Sequence, residues 1–193
     1  MSRRARTVVA FQDLTEKDHC VDEVDLAILK ELQVDGQLSL VELGRRVRLT
    51  AAPVQRRLRA LERDGWITGY VALIDPVRAR RDFEAFLEIE LADQSRGTLT
   101  LFEERVQLLP EVTECHRMSG RPDYLLKVVT HDVKYFNLFY LDQVLSLPGI
   151  LRSKTHISLS RIKYTTALPL PRSVREYSEP SVNRHSAGPN HST

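Results

Sequence analysis

The sequence has few cysteines, no long apolar run and little net charge, and each shortage excludes a class of protein. Its 193 residues include only Cys20 and Cys115, too few and too far apart for a disulfide framework, so we expect two reduced thiols. No stretch reaches the roughly 20 apolar residues of a membrane span, and the apolar run after the basic start is too short for a signal peptide. With 28 basic and 26 acidic residues, the net charge is only +2. These features predict a cytoplasmic globular protein with one ordinary core or two small ones.

Signatures of metal sites and catalytic sites are also missing. Cys115 and His116 are neighbours on a predicted strand, so their side chains should point to opposite faces and cannot share an ion. His131 and His156 stand alone, without the spacing of metal ligands. No phosphate-binding loop or nucleophile elbow occurs. We therefore expect no metal, no cofactor and no catalytic residue.

Composition and apolar periodicity divide the chain into five segments. Residues 1–20 lack periodicity, and residues 171–193 are rich in Ser, Pro, Asn and His, so we expect a flexible N-terminal tail and a disordered C-terminal tail. Apolar residues recur at helical spacing over 21–65. Residues 66–82 are extended in pattern and are predicted to form a hinge strand and linker. From 83 to 170 the chain alternates between strand and helix patterns.

Three short helices are predicted in the first of these structured segments. Asp22 is placed as the N-cap of the first helix, and Gly36 ends it. Ser39 and Glu42 have the spacing of a capping box at the start of the second helix. After a very short break, Thr50 is placed as the N-cap of the third helix, whose first turn tolerates Pro53.

The third predicted helix separates an apolar stripe from a basic side. Arg57 falls on the border of the stripe, where it either faces out or pairs with an internal acid. Two helices joined by a tight turn, with small and basic residues near the start of the second, are typical of a helix that enters the DNA major groove. The residues predicted to contact DNA are Arg45, Arg46, Arg48, Thr50, Ala51, Ala52, Gln55, Arg56, Arg59 and Arg63.

Two kinds of contact are expected from this set. Gln55 has the geometry to read an adenine edge, and Arg56 or Arg59 a guanine edge, whereas the arginines near the turn should meet phosphates. The alternative is a solvated arginine face on an ordinary helical bundle. Glu62 is the single acid among seven arginines between residues 44 and 63, and this local imbalance favours DNA binding.

Residues 83–170 have the pattern β, α, β, β, α, β. Strict alternation in "EAFLEIELA" indicates a strand, and "SGRPD" between two strand-like runs indicates a hairpin. The last strand is expected to turn Leu151, Ser153, Thr155, Ile157 and Leu159 to one face. Four strands and two helices in this order predict a ferredoxin-like sandwich, so the whole chain falls in the α+β class. Its helices cover only one sheet face, and self-association would cover the other.

Several segments together resemble the Lrp/AsnC family of bacterial and archaeal transcription regulators. They are the three helices, "GWITGYVALIDP", the hairpin "LPEVTECHRMSGRPDYLLKVV" and the closing "KTHISLSRIKYTTALPL", and they cover roughly Val21 to Leu170. The resemblance implies an N-terminal winged helix-turn-helix domain and a hinge strand. It also implies a ferredoxin-like domain that dimerises, often forms octamers, and senses amino acids. A location at the nucleoid follows from the same resemblance.

In that family the effector pocket lies at the contact between dimers and uses the hairpin turn and the last strand. The matching residues here are Met118, Ser119, Gly120, Asp123, Tyr124, Thr155 and Ile157. Backbone N–H groups at the glycine turn should hold a carboxylate, and Asp123 should accept from an ammonium group. Arg121 and Pro122 depart from the family pattern, which often has an acid directly after the glycine. The alternative for the turn is a plain hairpin.

Two other functions share parts of this pattern. An architectural protein that wraps DNA with little sequence choice would use the same charges. A sirohaem decarboxylase would use the same fold, but it would need histidine and arginine groups that line a large pocket. We expect a sequence-specific regulator and not an enzyme, with double-stranded DNA, a second copy of the chain and a small-molecule effector as partners.

Overall fold

The structure is a computed structural model that describes residues 21–174. The chain forms two compact units, one made of residues 21–71 with 165–174 and the other of residues 72–164. The predicted N-terminal tail, 1–20, and residues 175–193 of the predicted C-terminal tail, 171–193, lie outside the described residues. Among residues 21–174, no helix has the length and apolar character needed to span a bilayer.

The first unit is built on three helices around a small apolar core. They are α1 (Glu23–Val34), α2 (Leu40–Val47) and α3 (Ala51–Arg63). The core residues are almost completely buried: Val21, Leu26, Ile28, Leu29, Leu43, Val54 and Leu61. The predicted helical spacing is therefore confirmed for all three helices.

The helix caps differ in part from the prediction. Asp22 is the N-cap of α1, as predicted, and it forms a full capping box with Asp25. The box predicted for α2 is wrong, because the Glu42 carboxylate does not return to the N-cap. Ser39 Oγ accepts from the Glu42 N–H at 3.2 Å, but the Glu42 side chain binds arginines instead.

Thr50 occupies the predicted N-cap position of α3 without a side-chain capping bond. A capping hydroxyl accepts from the N–H of the second or third helical residue. The third residue of α3 is Pro53, which has no N–H. The Thr50 hydroxyl is exposed and therefore stays available to a ligand.

The turn between α2 and α3 depends on Gly44. Arg48 adopts the left-handed conformation with φ of 58°, and the Leu49 N–H donates to the Gly44 carbonyl at 2.8 Å. A Cβ atom at Gly44 would lie 2.5 Å from the Leu49 carbonyl oxygen. Only glycine therefore permits this close approach of the chain to α2.

The predicted hinge strand is not formed within a single chain and stays a prediction. Residues 67–75 form neither helix nor strand and have no pairing partner among the described residues, and a turn spans 76–80. Ile67 joins the core of the first unit, and the Tyr70 hydroxyl donates to Glu62 at 3.1 Å. Burial and this bond raise the pKa of Tyr70 to about 12. An extended segment becomes a strand only when a neighbour supplies ladder hydrogen bonds.

Residues 165–174, which we call the C-terminal strap, return to α1. Gln33 exchanges two hydrogen bonds with the backbone of Leu168, at 2.6 and 3.2 Å. The Val174 N–H donates to Glu23 at 2.9 Å, and Leu170 and Val174 pack against the core. The strap extends on both sides of the predicted boundary at residue 170 and belongs to the helical unit throughout.

The second unit has the predicted βαββαβ order, and the α+β class is confirmed. Its strands are β1 (Phe83–Leu91), β2 (Val112–Arg117), β3 (Tyr124–Thr130) and β4 (Ile150–Ile157). They form one antiparallel sheet in the order β2-β3-β1-β4. The strand sides that alternate inward carry the core, which includes Ala85, Leu87, Ile89, Leu91, Tyr124, Leu126 and Val128.

Two helical segments cover the inner face of this sheet. The first is α4 (Arg96–Val106), capped by Ser95. For the second segment, the apolar spacing in the sequence predicts a single helix over residues 133–149. The helical part of the structure ends earlier, at Val144. It consists of α5 (Val133–Phe139), capped by Asp132, followed by a π-helical turn (Tyr140–Val144).

The predicted face of β4 is also corrected. The ladder between β1 and β4 shifts its register between Glu90 and Leu91, so Ile150 and not Leu151 faces the core. Leu151 is 67% exposed. Ser153 still faces inward and hydrogen-bonds to the Tyr140 hydroxyl. A bulge adds one unpaired residue to a strand, so the side chains before the bulge point to the opposite face of the sheet from the one that strict alternation predicts.

We expect Gly44→Ala to disrupt the α2–α3 turn. The added methyl group collides with backbone, which cannot rotate away, so the loss of unfolding free energy should be about 2 kcal/mol. Urea unfolding of the full chain measures this loss. Gly97→Ala is the matched control, because a Cβ atom at Gly97 meets nothing within 4 Å. Equal stability of the two variants would contradict the role assigned to Gly44.

Candidate DNA-binding surface and effector cleft

The helix α3 presents a polar outer face opposite its buried stripe. Val54 and Leu61 are fully buried, whereas the outer face carries the exposed residues Ala52, Gln55, Arg56, Arg59 and Arg63. Ala51, at the first position of the helix, is half-buried. The helical wheel predicted from sequence therefore places the candidate base-reading side chains in solvent.

Arg57 points the other way and holds α3 against the start of α1. Its Nη1 donates to Asp22 Oδ2 at 2.7 Å and to Asp25 Oδ1 at 3.0 Å. Asp25 is only 1% exposed. Of the two positions that the sequence left open for Arg57, the pairing with internal acids is the one found.

Asp22 stays ionised in this cluster. Burial acts to raise the pKa of Asp22, but the hydrogen bonds from the Asp25 N–H and from Arg57 outweigh it, so this pKa is lowered. A charged pair with one fully buried member needs both partners, because a lone buried carboxylate is strongly disfavoured. The orientation of α3 is thus coupled to this ion pair.

The remaining arginines of the predicted DNA-binding set fall into two groups. Arg45 and Arg46 both bind Glu42, Arg46 also binds Glu31 at 2.8 Å, and Arg63 binds Asp64. The hydrogen bonds from Arg45 and Arg46 lower the pKa of Glu42 to about 2. By contrast, Arg48, Arg56 and Arg59 are exposed and form no ion pair with any residue of 21–174.

The N-terminus of α3 adds neutral donors beside the unpaired arginines. The backbone N–H groups of Ala51 and Ala52 belong to the first turn, which has no helical partners for them. The uncapped Thr50 hydroxyl lies at the same end. Helix N-termini and hydroxyl groups of this kind commonly contact nucleic-acid phosphates.

The second unit contains an open cleft of about 460 Å³ at its hairpin turn. Its lining joins the turn between β2 and β3 to the start of α4. The lining residues are Gln94, Leu99, Arg117, Met118, Ser119, Gly120, Arg121, Asp123 and Tyr124. Five of the seven predicted effector residues therefore come together, from Met118 to Tyr124.

The other two predicted effector residues do not join this cleft. Thr155 pairs with Leu87 and Ile157 with Ala85, on the edge strand β4, whereas the hairpin occupies the opposite edge of the sheet. Within one chain they do not line the cleft. Their assignment stays a prediction that requires a second copy of the protein.

Asp123 ties the hairpin turn to the end of β1. Its Oδ2 accepts from the Leu91 N–H and its Oδ1 from Gln94 Nε2, both at 2.7 Å. The Met118 N–H also donates to the Asp123 carbonyl at 2.8 Å. Both donors to the carboxylate are neutral, so its negative charge is not balanced by an ion pair.

Arg121 supplies the opposite charge at the same turn. It is exposed and forms no ion pair within the described part of the chain. Next to it, a Cβ atom at Gly120 would meet nothing within 4 Å, so the backbone here is open to a ligand. The turn therefore offers one uncompensated anion and one uncompensated cation.

Four residues of the lining lie outside the predicted effector set: Arg121, which the sequence marked only as a departure from the family pattern, and Gln94, Leu99 and Arg117. Gln94 and Arg117 carry no recognisable motif, and Leu99 follows the apolar stripe of α4, which also describes an ordinary core position. Their place in the cleft depends on contacts between segments, such as the bond from Gln94 to Asp123 across 29 residues. No local pattern contains that information.

The remaining cysteine and histidine residues do not cluster. Cys115 is an exposed free thiol, and Cys20 lies outside the described residues. His131 contacts Asp132, and His156 contacts Glu88 at 2.9 Å. Within residues 21–174, no three potential ligands meet as a metal site. The cleft lining contains two arginines but no histidine.

Comparison with known proteins agrees with both halves of this arrangement. Residues 21–68 match a winged helix-turn-helix DNA-binding model, and residues 84–168 match the Lrp/AsnC ligand binding domain. The leucine-responsive regulatory protein of Escherichia coli is 39% identical over 151 residues, which cover 77% of this chain and 90% of that protein. The chain belongs to the Lrp/AsnC family.

Other members of the Lrp/AsnC family support the same assignment. The proline dehydrogenase transcriptional activator of Rhizobium radiobacter is 35% identical, over 78% of this chain and 97% of its own. An AsnC family regulator from Agrobacterium tumefaciens superposes with a TM-score of 0.74 at 38% identity, over 77% of this chain and 96% of its own. A Neisseria meningitidis regulator solved with L-Met gives 0.73 at 36% identity, with the same coverage. This Lrp/AsnC protein is accordingly a DNA-binding transcriptional regulator with a ligand-binding domain.

We expect Arg57→Gln to destabilise the helical unit by about 1 to 2 kcal/mol at neutral pH, because Asp25 loses a charged partner. The pKa of Asp22 is lower in the folded chain than its unfolded value of 3.8. The Asp22 carboxylate therefore stabilises the fold at pH values above 3.8, and this contribution is lost as the pH falls through the pKa of the folded state. Wild-type stability should therefore fall below about pH 4, and the variant should show a shallower fall. Chemical unfolding across this pH range measures both.

Arg59→Gln is the matched control, because Arg59 lies on the same helix without an ion pair. It should leave the stability and its pH dependence unchanged within about 0.5 kcal/mol. A variant of Arg57 as stable as this control would show that the ion pair does not position α3.

Proposed function

We propose that this regulator reads specific DNA sequences with the outer face of α3 and binds an α-amino acid in the hairpin cleft. The observation that carries the first half is the exposure of Gln55, Arg56 and Arg59, unpaired, on the side of α3 opposite the core. A side chain held in an internal ion pair has to give up its partner before it contacts DNA. Gln55, Arg56 and Arg59 have no such partner among the described residues and contact DNA without that cost.

Each residue of the α3 surface has a proposed part. Gln55 donates and accepts at an adenine edge, and Arg56 or Arg59 donates to guanine. Arg48 and the donors at Thr50, Ala51 and Ala52 meet phosphates and fix the register of the helix on the duplex. The paired arginines Arg45, Arg46 and Arg63 contribute less attraction to the duplex than the unpaired ones, because carboxylates offset their charge.

We expect Gln55→Ala to relax base preference and Arg48→Ala to weaken all sequences alike. Loss of a bidentate base contact removes about 1 to 3 kcal/mol of discrimination at one base pair. Loss of a phosphate contact instead lowers the slope of affinity against salt by about one unit. Selection from random DNA, followed by affinity measurements at several salt concentrations, separates the two effects.

Arg63→Ala is the control for these variants, because it removes an equal charge that Asp64 already holds. It should change affinity less than Arg59→Ala does. If Gln55→Ala kept both the preferred site and its affinity, another face of the unit would read DNA.

The cleft complements a zwitterion. Asp123 has a negative charge held only by neutral donors, and it accepts from an ammonium group. Arg121 and the open backbone N–H groups near Gly120 receive a carboxylate. Because both charges lie on one turn, a small molecule that carries both groups satisfies them together. The complex of the Neisseria regulator with L-Met supports an amino acid as the ligand class.

We expect Asp123→Asn to weaken amino acid binding. The substitution removes the charge that faces the ammonium group and keeps the shape, and the remaining amide oxygen still accepts from the Leu91 N–H, so affinity should fall about tenfold or more. Calorimetry of the full chain with L-methionine measures it. Asp142→Asn, at an exposed site outside the cleft, should bind as the wild type does. Unchanged binding by the Asp123 variant would place the effector elsewhere.

Self-association completes the proposal. Apolar side chains of the extended segment are largely exposed in a single chain, at 70% for Val71, 64% for Leu73 and 71% for Ile74. Contiguous exposed apolar residues mark interaction sites. We propose that a second copy covers them in a homodimer, which assembles further into octamers and acts at the nucleoid in the cytoplasm. Paired half-sites roughly 34 Å apart follow from such a dimer.

A further inference from the structure

One arginine of the cleft lining, Arg117, forms an ion pair. Arg117 Nη2 donates to Glu103 Oε1 at 2.5 Å, and the Tyr124 hydroxyl donates to the same oxygen at 2.7 Å. Arg117 Nε also donates to the Tyr124 hydroxyl at 3.3 Å. Arg117 and Tyr124 line the cleft, whereas Glu103 reaches them from α4 without lining it.

The protein fold holds this cluster in place. Tyr124 is 1% exposed, and its ring packs on that of Phe102 with centroids 4.6 Å apart. Phe102 and Glu103 are neighbours on α4, so the buried aromatic pair fixes the position from which Glu103 extends. The Arg117 guanidinium lies over the Tyr124 ring, 5.9 Å from its centroid.

The two cations of the cleft are therefore in different electrostatic states. Arg121 lies in the hairpin turn, and no carboxylate of the described residues pairs with it. The α-carboxylate of a ligand is proposed to bind at this turn. Arg117 is neutralised by Glu103. The lining also includes Leu99 and Met118, and Tyr124 bonds to Arg117 directly. A ligand whose α-groups bind at the turn has this uncharged part of the lining and the neutralised Arg117 left for its side chain.

We propose that Glu103 makes the cleft select amino acids with uncharged side chains, because its carboxylate occupies the guanidinium that an acidic side chain would otherwise bind. This inference rests on the proposed amino acid site. An acidic side chain meets a carboxylate already bonded to both polar groups of the region, and it has to displace that carboxylate or lie beside it. A neutral side chain packs on Leu99, Met118 and Tyr124 without that cost. Specificity thus comes from a repulsive element as well as an attractive one.

L-Glutamate and L-glutamine test this proposal, because they have nearly equal shape and differ in charge. In the full-length wild type, competition against L-methionine should rank glutamine ahead of glutamate. In Glu103→Gln, Arg117 loses the charge that neutralises it, and the ratio of the two affinities should move toward glutamate by about two- to fivefold, the scale of a partly exposed ion pair. Glu104→Gln removes an equal charge from the next residue of α4 and should leave the ratio unchanged.

Two further variants separate this effect from a structural one. Glu103→Asp keeps the charge, so it should keep the preference for glutamine. Glu103→Gln combined with Arg117→Gln removes the freed cation, so the gain for glutamate should disappear. The unfolding midpoint of each variant checks that it is folded.

The outcomes distinguish this inference from the proposed function. If the wild type binds none of the three amino acids, both are overturned. If it binds methionine but Glu103→Gln leaves the glutamate-to-glutamine ratio unchanged, or the wild type already binds glutamate as well as glutamine, only the role of Glu103 is overturned.

Discussion

The ion pair between Arg57 and the acids of α1 is the constraint on which the DNA-binding surface depends. Few side chains of α3 define its rotation against the core, because Val54 and Leu61 are the only fully buried residues of this helix. Arg57 adds a directional contact to a nearly inaccessible carboxylate. Because it faces inward, Arg56 and Arg59 face outward. One internal charge pair thus decides which arginines are left for DNA.

The ligand-binding unit uses carboxylates in the same way. Asp123 joins the hairpin turn to β1 through neutral donors and keeps its charge, whereas Glu103 neutralises Arg117. The cleft is therefore charged at the turn and neutral beyond it, although arginines occur at both places. The pairing of each charge, rather than the number of charges, determines what the cleft selects. Sequence composition alone does not reveal that distinction.

Features with a local cause were predictable from sequence. The three helices, the four strands and the hairpin follow from apolar periodicity and from turn residues such as Gly120 and Pro122. Features with a distant cause were not. The strap depends on bonds between Gln33 and Leu168, and the β4 register on a bulge opposite Leu91. The capping boxes show the same limit, because Glu42 has the correct spacing but binds two arginines instead. For the cleft, the turn residues were predicted, whereas Gln94 and Arg117 depend on tertiary contacts.

The central claim is that one chain couples sequence-specific DNA binding to an amino acid site. Selection of genomic DNA with the purified full-length protein, repeated with each common amino acid, tests it most directly. Defined sites should be enriched over random DNA by roughly a thousandfold. At those sites, affinity should change by about 5- to 150-fold with at least one amino acid that has an uncharged side chain. Uniform recovery of all sequences, unaffected by any amino acid, would contradict the account.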